Sequence, residues 1–147
     1  HLRLPHSPYV YNENGDIMQN KDENDKSAYL SQLKFTETKI LEIIDTIQSH
    51  SPNAVIILIS DHGYRGEINW ENPKRMDHIR AFNTITSFYF HTGYEKVPSE
   101  ISSVNVFRIF FNSYFNADFE ILEDKHIWYI HEKPYNQTTV SDIFKKT

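Results

Sequence analysis

The run Ala54-Val55-Ile56-Ile57-Leu58-Ile59-Ser60 constrains the fold more than any other stretch of the chain. It is apolar up to its closing serine, rich in β-branched side chains and free of alternation. A strand with one wet face alternates polar and apolar residues. A run that does not alternate is apolar on both faces, as a central strand of a parallel sheet must be. A buried helical turn has a similar look, but this run is short and lies between two turn signals, Ser51-Pro52-Asn53 and Asp61-His62-Gly63. That placement favours strand.

The segment before it has a different period. Tyr29, Leu33, Ile40, Ile43, Ile44 and Ile47 recur at steps that fall on one helical face, which predicts a helix from Ser27 to His50. Asp25 or Ser27 can cap its start, and Pro52 disfavours helix at the residue before it. Helix followed by buried strand is half of a βαβ unit. The expectation is therefore a single α/β domain over residues 1–147, built on a mainly parallel sheet flanked by helices.

The other elements are coarser. Residues 1–24 read as an ordered loop, with a turn at Asn12-Glu13-Asn14-Gly15-Asp16 and a short extended piece near Pro8-Tyr9-Val10-Tyr11. Residues 61–80 are polar and irregular. Ile85 to Phe90 and Ile127 to Ile130 read as strands, and Gly93 to Pro98 as a loop. Ser102 or Ser103 can cap a helix from Val104 to Phe115 whose apolar face includes Phe107, Phe111 and Tyr114. From Glu132 the chain reads as loop and a terminal turn.

Composition removes several functions. The 147 residues carry 15 Lys and Arg against 20 Asp and Glu, a formal net charge of −5. That balance opposes nonspecific nucleic-acid binding, which needs clustered cations. No apolar run approaches the ~20 residues of a membrane span, so no membrane contact is expected of this segment. The absence of cysteine excludes thiol catalysis and thiolate metal sites together. The chain opens on His1 rather than Met, which we expect of a segment of a longer protein.

Chemistry concentrates where the apolar run ends. Ser60-Asp61-His62-Gly63 places a carboxylate beside an imidazole, and open α/β sheets bind ligands beyond the carboxyl ends of their strands. Asp oxygen with His nitrogen suits Zn, Mn or a similar divalent cation. Gly63 is expected to let the backbone turn so that both side chains reach one ion. The plainer reading is that Asp61 caps the next turn and His62 is an ordinary loop residue. Two further histidines, His1 and His6, lie in the proline-stiffened first loop, where a solvated chain end is the bland alternative. Arg65, His78 and Arg80 follow the Asp-His-Gly turn; an arginine fork binds phosphate or sulfate oxygens, and a solvated charged loop is the alternative. No Gly-x-Ser-x-Gly elbow and no glycine-rich phosphate loop is present among only four glycines.

Taken in order, these residues resemble a family. His1, His6, Pro8 and Tyr9, then Tyr29-Leu30-Ser31-Gln32-Leu33 opening a helix, then an apolar strand ending in Ser-Asp-His-Gly, resemble the C-terminal half of sulfatase-like hydrolases and transferases of the alkaline phosphatase superfamily. Ser103 to Arg108, Asn112 to Phe115 and Leu122-Glu123-Asp124 are similar to the tail of its bacterial membrane-anchored members, the phosphoethanolamine transferases and lipoteichoic acid synthases among them. The likeness spans nearly all of the chain. It implies the C-terminal portion of an alkaline-phosphatase-like fold, a phosphate- or sulfate-ester substrate, and a membrane-anchored parent whose catalytic domain is extracytoplasmic. It implies Asp61 and His62 as ligands of a divalent metal (Zn, Mn, Mg or Ca). It implies His6, and more loosely His1, Arg65 and His78, as substrate contacts.

In that family the nucleophile, a Thr, Ser or modified Cys, lies upstream of the segment seen here, and no residue of this chain matches it. The resemblance thus implies half of an active site, loosely held metal, no turnover by the chain alone, and an exposed sheet edge open to self-association. Two rival readings stand beside it. One is a noncatalytic binding module with no metal site. The other is a self-contained metallohydrolase in which Asp61, His62, His6 and His78 converge.

Overall fold

The structure, a computed structural model, describes residues 2–19, 22–91, 97–98 and 101–144. It divides into two compact units, His1–Ala54 and Val55–Thr147. His1 and most of the loop expected at 93–98 lie outside the described residues.

The first unit is one long helix with a loop laid on it. Helix α1 spans Lys26–His50, and the Asp25 carboxylate accepts the Ala28 N–H at 2.9 Å, satisfying one of the orphan donors of the first turn. Its fully buried stripe is Ala28, Gln32 and Thr36, while Leu41 and Ile43 stay exposed. Gln32 is the reason for that stripe. Its Oε1 accepts the Val10 and Tyr11 N–H groups at 2.7 and 3.1 Å, and its Nε2 donates to the His6 carbonyl at 3.1 Å. One buried amide thus satisfies three backbone groups of the first loop. The Tyr11 and Phe35 rings pack at 5.1 Å, and Tyr11 forms an isolated antiparallel bridge to Ile17. Between them the Asn12 carboxamide oxygen accepts the Asn14 and Asp16 N–H groups, and Gly15 takes a φ of 87°. The turn read at 12–16 is the one that forms.

The second unit begins with strand β1, Ile56–Ile59. Helix α2 (Arg75–Phe82) and strand β2 (Thr86–Tyr89) follow. β1 pairs with β2 antiparallel, Ile56 opposite Tyr89 and Ile59 opposite Thr86. Beyond it come helix α3 (Ser103–Phe115), strands β3 (Ile127–Ile130) and β4 (Lys133–Thr139), and a 3-10 turn at Ser141–Phe144. β3 and β4 form a second antiparallel ladder with an irregularity between Trp128 and Ile130. The buried core is Ala81, Trp128 and Val140, with Ile68, Phe82, Ile143 and Phe144 packed against it.

This corrects the expected fold class. The described residues form two short two-stranded antiparallel sheets, with no parallel pair and no sheet of the alkaline-phosphatase-like kind. The cause lies in the connection between β1 and β2. The Gly63 N–H donates to the Ala81 carbonyl at 2.8 Å, so the last turn of α2 lies at the end where β1 finishes. Residue 86 starts the next strand from that same end, and β2 must run back along β1. Ser60 closes the ladder: its N–H donates to the Ile85 carbonyl, and its Oγ accepts the Ile85 N–H, each at 3.0 Å. A parallel crossover would have needed α2 to deliver the chain to the opposite end of the ladder, beside Ile56.

Helix α2 and strand β4 are the elements that periodicity does not reveal. α2 is short and charged, and its start is held by the Asp77 carboxylate accepting the Lys74 N–H at 2.8 Å. β4 is exposed along its length, so it carries no apolar alternation to read. Beside α3, the stretch after Asn116 is bound to the helix by side chains rather than by a ladder. Asn112 exchanges two hydrogen bonds with the Phe119 backbone at 2.8 Å each, Arg108 donates to the Glu120 carbonyl, and Asn105 exchanges two with the Leu122 backbone.

Candidate functional site

The Asp61–His62 turn is built from its neighbours. Gly63 is required there for space rather than for a left-handed backbone: a Cβ would lie 2.0 Å from the Arg80 carbonyl oxygen and 2.7 Å from that of Asn83. Among the described glycines only Gly15 has a positive φ. The expected conformational role of Gly63 is thus replaced by a steric one. The turn rests directly on the last carbonyls of α2.

On that base the two candidate ligands converge. The Asp61 Oδ1 accepts the His62 N–H at 3.0 Å, which fixes the carboxylate against its own turn. The His62 Nδ1 lies 2.7 Å from the Gly63 carbonyl oxygen. A carbonyl can only accept, so Nδ1 is the donor in this pair, and the Nδ1–H tautomer presents its Nε2 lone pair. That Nε2 lies 3.7 Å from Asp61 Oδ2. Two ligands about 2.0–2.2 Å from one tetrahedral metal are themselves about 3.3–3.6 Å apart, so the pair needs only a small closure to share a cation. A backbone carbonyl holding the far nitrogen is also the usual support of a metal-bound histidine. The donor chemistry fits a divalent cation. The pair stands alone: among the described residues no group of three or more His, Asp or Glu is placed to hold a metal ion.

Asp61, His62 and Arg65 line one cavity of about 1330 Å³ in the second unit. The Arg65 guanidinium stands 5.8 Å over the Trp70 ring, and Trp70 stacks on Trp128 at 4.9 Å with 19° between the planes. Trp128 donates from its indole N–H to the Trp70 carbonyl at 3.4 Å. This layered wall was invisible to sequence reading, because Trp70 and Trp128 are 58 residues apart. His126 also lines the cavity. It lies between the Phe82 and Phe144 rings, its Nδ1 buried without a partner.

His78 is buried in the core, edge-on to Trp128 at 4.5 Å, with no partner for its Nδ1, and does not line the cavity. Burial holds its imidazole below the usual histidine range, against the Asp77 carboxylate, which pulls it upward. Arg80 reaches Glu67 at 4.0 Å. In the first unit His6 is exposed and repeats the local geometry of His62: its Nδ1 lies 2.5 Å from the next residue's carbonyl, leaving Nε2 open.

Comparison with protein families, with curated proteins and with solved structures finds no match for the chain. No helix among the described residues is long and apolar enough to cross a membrane.

Proposed function

We propose that the Ser60–Gly63 turn supplies two ligands, Asp61 Oδ2 and His62 Nε2, to a divalent cation in an enzyme that hydrolyses or transfers phosphoric or sulfuric esters. One observation carries the metal reading: the His62 ring is locked by the Gly63 carbonyl with its open nitrogen turned toward a carboxylate oxygen 3.7 Å away. The ester reading is supported by the resemblance in the order of motifs and by an arginine in the same cavity. A divalent cation held there offsets charge on an ester oxygen and acidifies a nucleophilic hydroxyl. The work of this chain is to hold the carboxylate and the imidazole at fixed separation. Zn, Mn, Mg and Ca all accept such donors in principle; imidazole favours the first two.

Isothermal titration of the chain with Zn²⁺ and with Mn²⁺ tests this. We expect weak one-to-one binding, weakened at least ~10-fold in Asp61→Asn and in His62→Ala. The Asp61 side chain is 83% exposed, so Asp61→Asn leaves the fold intact. Equal affinities in the parent and both variants would overturn the metal reading. The chain alone is expected to leave phosphate and sulfate esters uncleaved, since no residue matches the family's nucleophile. Metal-dependent turnover abolished by Asp61→Ala would place the nucleophile within this chain instead.

A further inference from the structure

We propose that Arg65, shelved on the Trp70 ring, is the anion-binding arm of the cavity and takes the non-bridging oxygens of a phosphate or sulfate group; this rests on the metal reading of Asp61 and His62. Arg65 and the two candidate ligands open onto the same cavity. Two of the other charged side chains there are already engaged. Lys125 is engaged by the Glu123 carboxylate at 3.1 Å, and Asp124 is tied to Ser102 and Asn105. Arg65 has no carboxylate partner among the described residues, while Arg80 nearby is turned to Glu67. A guanidinium without a counter-ion presents its planar fork to tetrahedral oxyanions, which accept two parallel hydrogen bonds.

The shelf explains how a flexible arginine is kept in place. Between Arg65 and Trp70, Glu67 takes a left-handed φ of 61°, a conformation costly for a residue with a side chain. That reversal returns the chain so that the indole comes under the guanidinium five residues on. Trp70 is in turn fixed by stacking on Trp128. Trp70 is thus a positioning residue, acting through Arg65. The cation and the arginine would then share the anion between them. Without a cation the Asp61 carboxylate repels the same ligand, so anion binding should require metal.

The experiment measures metal uptake first, then titrates inorganic phosphate and, separately, inorganic sulfate into the metal-loaded chain. The variants are Arg65→Gln, Arg65→Lys, Trp70→Phe and Trp70→Leu. Losing a charge-assisted fork should weaken anion binding by about 10–100-fold in Arg65→Gln, with metal affinity unchanged. Arg65→Lys keeps the charge without the fork and should fall between. Trp70→Leu should weaken it about 2–5-fold, as expected of a lost cation–π contact, and Trp70→Phe should restore it. A purely structural Trp70 would show equal anion affinities in Phe and Leu variants once both are shown to be folded. Metal uptake with no binding of either anion, or with Arg65→Gln equal to the parent, overturns this inference and leaves the metal reading standing. Absence of metal uptake by the parent chain overturns both.

Discussion

Gly63→Ala is the perturbation whose outcome the geometry fixes most tightly. Its new Cβ would lie 2.0 Å from the Arg80 carbonyl oxygen, 2.7 Å from the Asn83 carbonyl oxygen and 3.2 Å from the Arg80 carbonyl carbon. All three are backbone atoms, so no side-chain rotation relieves the contact. Restoring ordinary separation moves the 60–63 turn and the end of α2 apart by more than an ångström. That movement breaks the Gly63 N–H bond to the Ala81 carbonyl, now 2.8 Å. Overpacking that side chains can absorb costs about 1–3 kcal/mol, and the lost backbone bond about 1 more, so we expect ~3 kcal/mol or above. For a domain of about 60–100 residues each kcal/mol lowers Tm by about 4–8 °C, giving a fall of at least ~12 °C. Both tryptophans, Trp70 and Trp128, lie in the second unit, so their fluorescence follows its unfolding alone. The matched control is Gly66→Ala, whose Cβ would meet the Tyr64 hydroxyl at 2.1 Å. All the close atoms there belong to the Tyr64 side chain, which can rotate away as backbone cannot, so the cost should be smaller than that of Gly63→Ala. A Gly63→Ala protein that melts with the parent, or no lower than Gly66→Ala, would show that the turn is not seated on α2 as described.

Three further outcomes follow from buried polar groups. Gln32→Leu leaves the Val10 and Tyr11 N–H groups and the His6 carbonyl without their partner, which should cost about 2–4 kcal/mol and abolish the hydrogen-exchange protection of those two amides; unchanged protection would refute the role given to Gln32. Asn105→Ala removes both bonds to the Leu122 backbone and should expose the 118–124 stretch to limited proteolysis well before α3 is lost, at a similar cost. Burial lowers the His78 pKa in the folded chain, while in the unfolded chain the imidazole titrates near 6.5. Between its lowered folded pKa and 6.5 only the unfolded state takes up the proton, so stability of the second unit should fall as pH drops from about 6.5. His78→Phe should flatten that dependence in urea titrations between about pH 5 and 7; an identical slope in parent and variant would sink the assignment.

The sequence made some of this legible and hid the rest for physical reasons. α1 could be read because a long helix repeats its period many times, and Asp25 supplied the cap. Its buried stripe could not be read, because Gln32 is buried for hydrogen bonds with a loop more than twenty residues away rather than for apolar surface. The apolar run was correctly a strand, but its direction of pairing is not a property of the run. It depends on where α2 ends, and α2 carries little apolar periodicity. Ile59 at the end of β1 is 43% exposed, so uninterrupted apolarity did not mean cover on both faces. Of the candidate site residues, Asp61, His62 and Arg65 share a cavity, while His78 belongs to the core, where its imidazole packs on a tryptophan that sequence alone does not bring near.

The overturned sheet and the surviving turn bear on function differently. A ligand crevice at the carboxyl edge of a parallel sheet needs several strands ending together. The arrangement at Asp61 and His62 needs none of that. Its decisive bond runs from the imidazole to the very next residue, and its seat is the end of one short helix. A two-residue ligand pair of this kind can be carried on the end of an antiparallel ladder as readily as on a parallel one. What the parallel sheet would have contributed is the rest of the coordination sphere, delivered by neighbouring strands. With β2 as the partner of β1, the residue brought beside Ser60 is Ile85, which offers only its backbone. Under the proposed metal reading, further donors would have to approach from the cavity side, where Asp61 is open, rather than from within the ladder.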